Sequence, residues 1–350
     1  MLYFSKLRIT LISFVTLFFI YIASSNFQDP ENSFISKRIN LGLDLQGGSY
    51  LLLEIDNEPV EIQKLQNTTT TIRNFLKGKK ISFNDLRIQN KTITFTVSKN
   101  DTDLVKAFFL DKESEINPYY SQYKSHQFNL LIRDSEFILS LSKYGLIEIK
   151  TSSQDQALEI VRRRVDEVGT NEPNIIKRGN NRILVELPGL DDPMRIKSLL
   201  GKTANLTFRF ITQNNNDTFG TEMLQFEDGM SEAMVSKRIV LNGENLLDAQ
   251  PQMNNQTNEA VVSFTLDRVG AKRFGKATST GVGKQLAIVL DGKIVSAPTI
   301  QSVIASGNGQ ISGNFTFQSA TDLALLLRSG ALPAPLNIIE ERTVGPDLGQ

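Results

Sequence analysis

The hydrophobic positions in the last third of the chain first form a short continuous run that predicts a strand. Leu286–Leu290 is apolar at every position, and a short unbroken apolar run is typical of a strand covered on both faces. Asp291 and Gly292 come next, and both residue types accept the positive φ angles of a tight hairpin turn. The segment Lys293–Ser296 is therefore predicted to return as the partner strand.

The pattern then changes to the period of a helix. Ser319 and Asp322 have the spacing of a capping box at a helix start. One face of the predicted helix carries leucines: Leu323, Leu326 and Leu327. Gly330 follows at the position where a helix commonly ends with a positive φ angle, and Pro333 prevents continuation.

The centre of the chain predicts elements in the order strand, helix, strand, strand, helix, strand, which is that of a ferredoxin-like unit. The first strand is either Gly145–Lys150 or Asn40–Asp56, where leucines alternate with polar residues, and the pattern leaves both open. The first helix is predicted to begin at a capping box of Ser153 and Gln156 and to end at Gly169. The remaining strands and helix are predicted at 175–176, 183–187, 193–201 and 206–211.

The same order of elements returns near residue 260. Val261–Leu266 is predicted as a strand and Val269–Thr278 as a helix. The hairpin and helix described first would complete this second unit.

A segment of different character lies between Glu58 and Tyr144. It predicts a small inserted α+β subdomain with a helix at Glu61–Leu76, a strand at Thr92–Val97, and a hairpin near residues 128–141. His126, the single histidine, is interpreted as a solvated loop residue because no cysteine or second histidine accompanies it.

An uncharged stretch from Ile9 to Gln28 is the main signal near the N-terminus. About 20 residues at a rise of ~1.5 Å each cross a hydrocarbon layer ~30 Å thick, so this stretch predicts a transmembrane helix. Lys6 and Arg8 precede it, which predicts a cytoplasmic N-terminus and the remaining mass outside. A cleaved signal peptide is the alternative, because Ala23 and Ser25 form a small-x-small site.

Composition and charge exclude several classes of function. The chain has 38 basic and 38 acidic residues and thus no net charge, which argues against nucleic acid as the main partner. The absence of cysteine excludes disulfides, thiol catalysis and thiolate metal sites. The acidic pair Glu340 and Glu341 is consecutive, so in an extended chain the two carboxylates point to different sides. The sequence predicts no catalytic site and no cofactor, and hence a binding or moving part that is not an enzyme.

One segment has the spacing of a nucleotide-binding motif, but its other residues do not fit that motif. Gly270, Gly275 and Lys276 have the spacing of a P-loop. Ala277 replaces the hydroxyl residue that contacts Mg²⁺, and the intervening residues favour a helix. Asp291, which imitates the metal-binding aspartate, belongs to the predicted hairpin turn.

The run Arg162–Arg164 also resembles an anion site. Because Asp166 and Glu167 are close in sequence, these arginines are interpreted as a solvated helix face.

Four blocks of sequence occur in a characteristic order: NLGLDLQGG from Asn40, RRVDEVGTNEPNI with NRILVELPG between Arg163 and Gly189, LDGKIVSAPTIQ followed by RSGALPAPL, and VGPDLGQ at the C-terminus. In these blocks the chain resembles the SecD family, a membrane subunit of the bacterial Sec protein-export machinery. The resemblance marks motif residues with a structural role: Gly42, Asp44, Gly47, Gly48, Pro188, Gly189, Asp291, Gly292, Pro298, Gly330 and Pro333.

The resemblance implies an α+β architecture with an N-terminal transmembrane helix. A periplasmic region would follow, with a ferredoxin-like βαββαβ base, an inserted small α+β subdomain and a head subdomain. It favours Asn40–Asp56 as the first strand of the base. The implied divisions are 1–28 cytoplasmic tip and transmembrane helix, 29–56 first base strand, 57–144 insertion, 145–203 first half of the base, 204–258 head, 259–340 second half of the base, and 341–350 lead-in to a membrane bundle.

The resemblance also implies a role in export at the bacterial inner membrane. The implied partners are SecF, SecYEG with accessory translocase subunits, the lipid bilayer, and an unfolded preprotein delivered in a SecA-dependent manner. In this family, part of the RND superfamily, the proton-motive force is used through membrane helices that follow VGPDLGQ. This sequence ends at Gln350, so a longer product or another chain is expected to supply them. A stand-alone anchored polypeptide-binding or chaperone domain is the alternative, and the downstream coding sequence distinguishes the two.

The predicted surface for preprotein lies in the head, where methionine and phenylalanine occur without long secondary structure. Flexible apolar side chains suit varied partners. The candidate residues are Phe219, Met223, Phe226, Met230 and Met234. A closed satellite core is the alternative interpretation. Hinges for movement of the head are predicted near Gly201 and Asn258.

Overall fold

The computed structural model describes residues 6–24, 47–170, 173–189, 193–212, 220–254 and 258–344. The helices in these residues are α1 (Lys6–Ser24), α2 (Glu58–Gly78), α3 (Thr102–Leu110), α4 (Lys143–Val168), α5 (Pro193–Gly201), α6 (Arg268–Thr280) and α7 (Phe317–Ser329). The strands are β1 (Gly48–Ile55), β2 (Phe83–Gln89), β3 (Thr92–Val97), β4 (Tyr119–Tyr120), β5 (Ser125–His126), β6 (Phe128–Arg133), β7 (Glu136–Leu141), β8 (Asn174–Arg178), β9 (Arg182–Pro188), β10 (Leu206–Phe210), β11 (Thr221–Gln225), β12 (Glu232–Ser236), β13 (Leu241–Asn242), β14 (Leu246–Met253), β15 (Ala260–Leu266), β16 (Leu286–Leu290), β17 (Lys293–Ser296), β18 (Asn308–Phe315) and β19 (Leu336–Val344).

A four-stranded antiparallel sheet in the order β19-β1-β9-β8 joins distant parts of the chain. Alternate residues of β1 point to one face of this sheet, and Leu51, Leu53 and Ile55 are buried there. They share one apolar core with Val161 and Val165 of α4. This sheet, together with α4 and α5, is called the base.

The predicted strand at Gly145–Lys150 is wrong, because these residues begin helix α4. The hydroxyl of Ser142 accepts a hydrogen bond of 2.9 Å from the backbone N–H of Gly145 and caps the helix there. Ser153, predicted as the cap, is buried inside the same helix. The first strand of the base is β1, within the alternative prediction Asn40–Asp56, of which residues 40–46 lie outside the described residues.

Strands β10 to β18 with helices α6 and α7 form a second body, called the head. Its sheets have the orders β13-β10-β16-β17 and β14-β15-β18, and β11 and β12 form a separate hairpin. Phe208, Phe264 and Phe274 meet in the head core, with ring centroids no more than 6.3 Å apart.

The division between base and head predicted from the sequence is corrected by the strand pairing. From the stretch 259–340, predicted as the second half of the base, only β19 joins the base sheet. Strand β15 pairs with β14 and β18, and β16 pairs with β10. The predicted last strand of the first unit, Leu206–Ile211, therefore belongs to the head. A local βαββ order does not specify which distant strand becomes the neighbour, and this is why the pattern was misleading.

Residues 57–144 contain a sheet of their own in the order β2-β3-β7-β6, with α2 and α3. The helix and the hairpin predicted in this segment are confirmed. Phe95, Phe109 and Phe137 contribute to its separate core. His126 is not a solvated loop residue, because it is half-buried in β5 with its ring centroid 4.9 Å from that of Tyr119.

Helix α1 overlaps the predicted transmembrane stretch. Its side chains at 6–21 are all exposed, and residues 25–28 of the predicted stretch lie outside the described residues. Among the helices that the structure describes, none combines the length and the apolarity needed to cross a membrane.

The hairpin that follows β16 is confirmed in detail. Asp291 and Gly292 have φ angles of 49° and 80°, as the tight turn requires. The predicted capping box before α7 is wrong, because Thr316 is the N-cap and accepts from the N–H of Ser319. Asp322 instead pairs with Arg195 of α5.

Candidate functional site

The chain passes between base and head at two described places, which together form the junction. The outward passage, residues 202–205, joins α5 to β10, and the return passage, residues 330–335, joins α7 to β19. The hinge predicted near Gly201 lies at the outward passage. The hinge predicted near Asn258 is wrong, because this residue connects β14 to β15, two neighbours in one head sheet.

Arg164 of α4 binds both passages. Its side chain is 1% exposed, and its guanidinium donates to the carbonyls of Leu199, Lys202 and Thr203 on the outward side. It also donates to the carbonyl of Gly330 on the return side, at 3.2 Å. Burial lowers the pKa of Arg164 to about 10, and the nearby charge of Asp291 opposes this shift. The cation therefore fixes carbonyl groups that come from two distant parts of the sequence.

Asp291 holds the outward passage from the head side. Its carboxylate accepts from the hydroxyl of Thr203 and from the backbone N–H groups of Ala204, at 3.1 Å, and Asn205, at 2.8 Å. The N–H of Asp291 in turn donates to the carbonyl of Asn205 at 3.1 Å. Carbonyl groups of the outward passage therefore accept from Arg164 of the base, and N–H groups of the same passage donate to Asp291 of the head.

Helix contacts extend the junction. Arg195 of α5 donates to Asp322 of α7 at 2.9 Å, and Arg328 of α7 donates to Glu167 of α4 at 2.5 Å. Between these pairs lies a buried apolar group: Leu199, Ala204, Leu325 and Leu326. The head is therefore docked on the base in one defined orientation.

The prediction that Arg162–Arg164 is a solvated face is wrong for its last member. Arg162 and Arg163 are exposed, whereas Arg164 is buried. The signal was present in the sequence, since Arg164 is three residues after Val161 and four before Val168, on the apolar stripe of the helix.

Comparison with known proteins relates this chain to one family. Sequence profiles match three parts of the chain: the SecD/SecF GG motif at 33–58, the N-terminal P1 domain of protein translocase subunit SecDF at 154–213, and the SecDF P1 head subdomain at 221–334. The protein translocase subunit SecD of Acetobacter pasteurianus is 37% identical over 99% of this chain and 67% of its own length. The chain belongs to the SecD family.

Other SecD relatives agree with this assignment. The protein translocase subunit SecD of Rickettsia bellii is 39% identical over 98% of this chain and 66% of its own length. The chain therefore spans about two thirds of the length of the curated relatives it matches. A crystal structure of SecDF in a super-membrane-facing form shares the fold, with a TM-score of 0.52 and 24% identity over 98% of this chain and 36% of that one.

The SecD motif residues gather at two places in the structure. Gly48 is opposite Pro188 in the base sheet, and the N–H of Gly189 donates to the carbonyl of Gly47 at 3.0 Å. Gly47, Gly48 and Gly189 all have positive φ angles. Four further motif residues belong to the junction or to the turn that contacts it: Asp291, Gly292, Gly330 and Pro333. Pro298 accepts from the N–H of Leu286 at 3.0 Å, and Gly42 and Asp44 lie outside the described residues.

The predicted preprotein residues that the structure describes do not form one surface. Met223 and Met234 are directly opposite on the β11–β12 hairpin, and Met223 is 54% exposed. Phe226 faces the other way and packs with Leu224 against a buried cluster. Met230 is 91% exposed in the turn, and Phe219 lies outside the described residues.

An apolar cavity of about 250 Å³ opens between the two head sheets. Its walls include the core rings Phe208, Phe264 and Phe274 and the segment 298–304. No group of three or more histidine, aspartate or glutamate side chains in the described part of the chain is placed to hold a metal ion.

Proposed function

We propose that this chain is the portion of a SecD export subunit that receives polypeptide as it emerges from the Sec channel. The similarity to SecD subunits over 98% of the chain carries this proposal. The partners would be SecF, SecYEG with accessory subunits, and the unfolded preprotein. The relatives are named as translocase subunits, which favours a role other than catalysis. Use of the proton-motive force would depend on membrane helices outside this sequence.

The proposed architecture follows from the order of elements in the base. β1, α4, β8, β9, α5 and β19 follow one another as βαββαβ, which supports a ferredoxin-like base. The proposed head is residues 206–329, and residues 57–144 form the proposed insertion. We assign membrane attachment to the uncharged stretch Ile9–Gln28, part of which lies in helix α1, with Lys6 and Arg8 on the cytoplasmic side and the remaining mass in the periplasm.

The head is the proposed binding part because it offers two kinds of sequence-tolerant contact. The Met223–Met234 pair presents flexible apolar side chains at the surface. The cavity of about 250 Å³ has room for a single apolar side chain or two. Neither contact requires a particular substrate sequence, which a component that meets many preproteins needs.

Site-specific photo-crosslinking during arrested export tests this function. A photoreactive residue at Met223 is expected to crosslink to preprotein, whereas one at Ile176, an exposed apolar residue of the base, serves as the matched control. Crosslinks at Ile176 but not at Met223 would reject the head as the binding part. Normal export in cells that lack the whole protein would reject the export role itself.

A further inference from the structure

A basic groove of about 460 Å³ lies beside the methionine pair on the head. It runs between helix α6 and the segment that follows β12. Its cationic side chains are Arg238, Arg273 and Lys276, and Lys284 lines an adjoining hollow that shares Phe210 and Ser236 with it. Among the residues that the structure describes, no acidic side chain lines either hollow.

These four cations are available to a ligand. All four are exposed, and within the described part of the chain none forms an ion pair. Asp267, the N-cap of helix α6, accepts from the N–H of Gly270, and the charge of Arg273 helps to lower the pKa of this carboxylate without forming an ion pair with it. Surface cations that form no ion pair with an acid of their own protein retain attraction for an external anion.

The floor of the groove is apolar and fixed. Phe210, Val240 and Ala277 line it, and Ile239 at its rim is 46% exposed. The Phe210 ring lies against Gly281, where a Cβ atom would come within 2.7 Å of the ring. A glycine at position 281 is therefore what allows the ring to form this floor.

The groove is continuous with the methionine pair. Met234 and Ser236 are two residues apart on β12 and share one face of the hairpin, opposite the buried Val235. Ser236 is also a wall of the groove. A chain extended along this face would pass from the methionines to the cations within a few residues, at about 3.3 Å per residue.

We propose that this groove binds acidic residues of an extended polypeptide whose neighbouring apolar residues contact Met223 and Met234. The charge of the four cations and the apolar floor select this occupant over a basic or purely polar segment. The proposal rests on the proposed function, because it assigns a preference for acidic-apolar segments to the head. It differs from the P-loop interpretation of Lys276, since helix α6 leaves no phosphate-binding loop there.

The test uses the full chain in a non-ionic detergent and a labelled peptide of alternating leucine and glutamate. Fluorescence anisotropy is expected to show binding at least about tenfold tighter than for the same peptide with glutamine or lysine in place of glutamate. High salt should remove most of this difference. Arg273→Glu combined with Lys276→Glu should abolish the preference.

The control is the double variant Lys272→Glu with Lys293→Glu, which changes the net charge equally at exposed positions outside the groove. Its peptide binding should be unchanged, and circular dichroism should show that both double variants are folded. Equal affinity for all three peptides would overturn the proposal. So would groove-dependent binding of short-chain phosphatidylglycerol without peptide binding, which would assign the cations to lipid. Peptide binding is measured without the channel, so its result does not depend on the outcome of the export experiment.

Discussion

Arg164 is a cation surrounded by backbone carbonyl groups, and no carboxylate in the described part of the chain is in direct contact with it. Its two terminal nitrogens donate to four carbonyls, and its Nε is buried without a partner. Such a group stabilises one arrangement of the chain because every alternative leaves a buried charge or several carbonyls unsatisfied.

Replacement of Arg164 by methionine is expected to lower the free energy of unfolding by about 3 kcal/mol, because the buried carbonyls lose their donor. Arg164→Lys should recover part of the loss, since lysine keeps the charge but not the planar fork. Urea unfolding followed by circular dichroism gives the stability, and hydrogen exchange reports the N–H groups of Ala204, Asn205 and Leu332 in the junction. Arg163→Met, at an exposed site, should change the stability by less than about 0.5 kcal/mol. Unchanged exchange at these amides in Arg164→Met would contradict the role given to this residue.

We expect the stability of the head to depend on pH through the carboxylate of Asp267. The pKa of Asp267 is lowered, mainly because the N–H of Gly270 donates to its carboxylate and also because Asn245 donates to it. A lowered carboxyl pKa stabilises the fold above the ordinary value of 3.8, and this contribution disappears as the pH falls through the folded value. The protection of α6 amides, measured as the exchange rate relative to the intrinsic rate at the same pH, should therefore decrease below about pH 4 in the natural chain. Asp267→Asn keeps a capping side chain but has no charge to lose, so the same acid dependence in that variant would refute the assignment.

Helix α4 belongs to the base, and its first turn lies against the backbone of the insertion. A Cβ atom at Gly145 would lie 2.3 Å from the carbonyl oxygen of Gln127, which belongs to the insertion. We expect Gly145→Ala to destabilise the protein by about 2 kcal/mol, because backbone atoms on both sides must move.

Gly78→Ala provides the matched control for that change. Gly78 ends helix α2, and nothing lies within 4 Å of its Cβ position. Alanine there should leave the stability unchanged or raise it by up to about 1 kcal/mol. Thermal unfolding of both variants checks the pair, and equal effects would show that the contact at Gly145 is unimportant.

Elements that are specified by neighbouring residues were predictable from the sequence. The hairpin Leu286–Ser296 follows from an apolar run and a turn pair, and helix α6 was predicted at Val269–Thr278, where the residues between Gly270 and Gly275 favour a helix. The strand predicted at Gly145–Lys150 is wrong because Ser142, three residues before Gly145, caps a helix there. The junction was not predictable, since Arg164, Asp291 and Gly330 meet only after the head has been inserted between α5 and β19.

The orientation of head on base leads to a prediction about the whole molecule. Arg195→Cys with Asp322→Cys places one thiol on each body at a native contact, and the chain contains no other cysteine. A short bis-methanethiosulfonate linker should then hold the head against the base. If the proposed function needs the head to move, export should fall on linking and recover after reduction.

A second pair of thiols controls for the chemistry of the linker. Gln250→Cys with Ser263→Cys places both thiols on opposite residues of strands β14 and β15, within the head and outside the proposed binding groove and cavity. Linking this pair should not affect movement between the bodies. Undiminished export with the Arg195–Asp322 positions linked would show that a fixed orientation suffices.

The position of β19 beside β1 has a consequence for biogenesis. Residues 48–55 must wait for residues 336–344 before their outer edge is paired, and the intervening chain includes the entire head. During N-to-C synthesis, one edge of β1 therefore stays unpaired until the head has emerged, and unpaired edges recruit foreign strands. The head can bury its aromatic core without β19, because its strands pair among themselves. The last step of folding would then be the pairing of β19 with β1 after the head has formed. This step is slow because it joins residues that are far apart in the sequence.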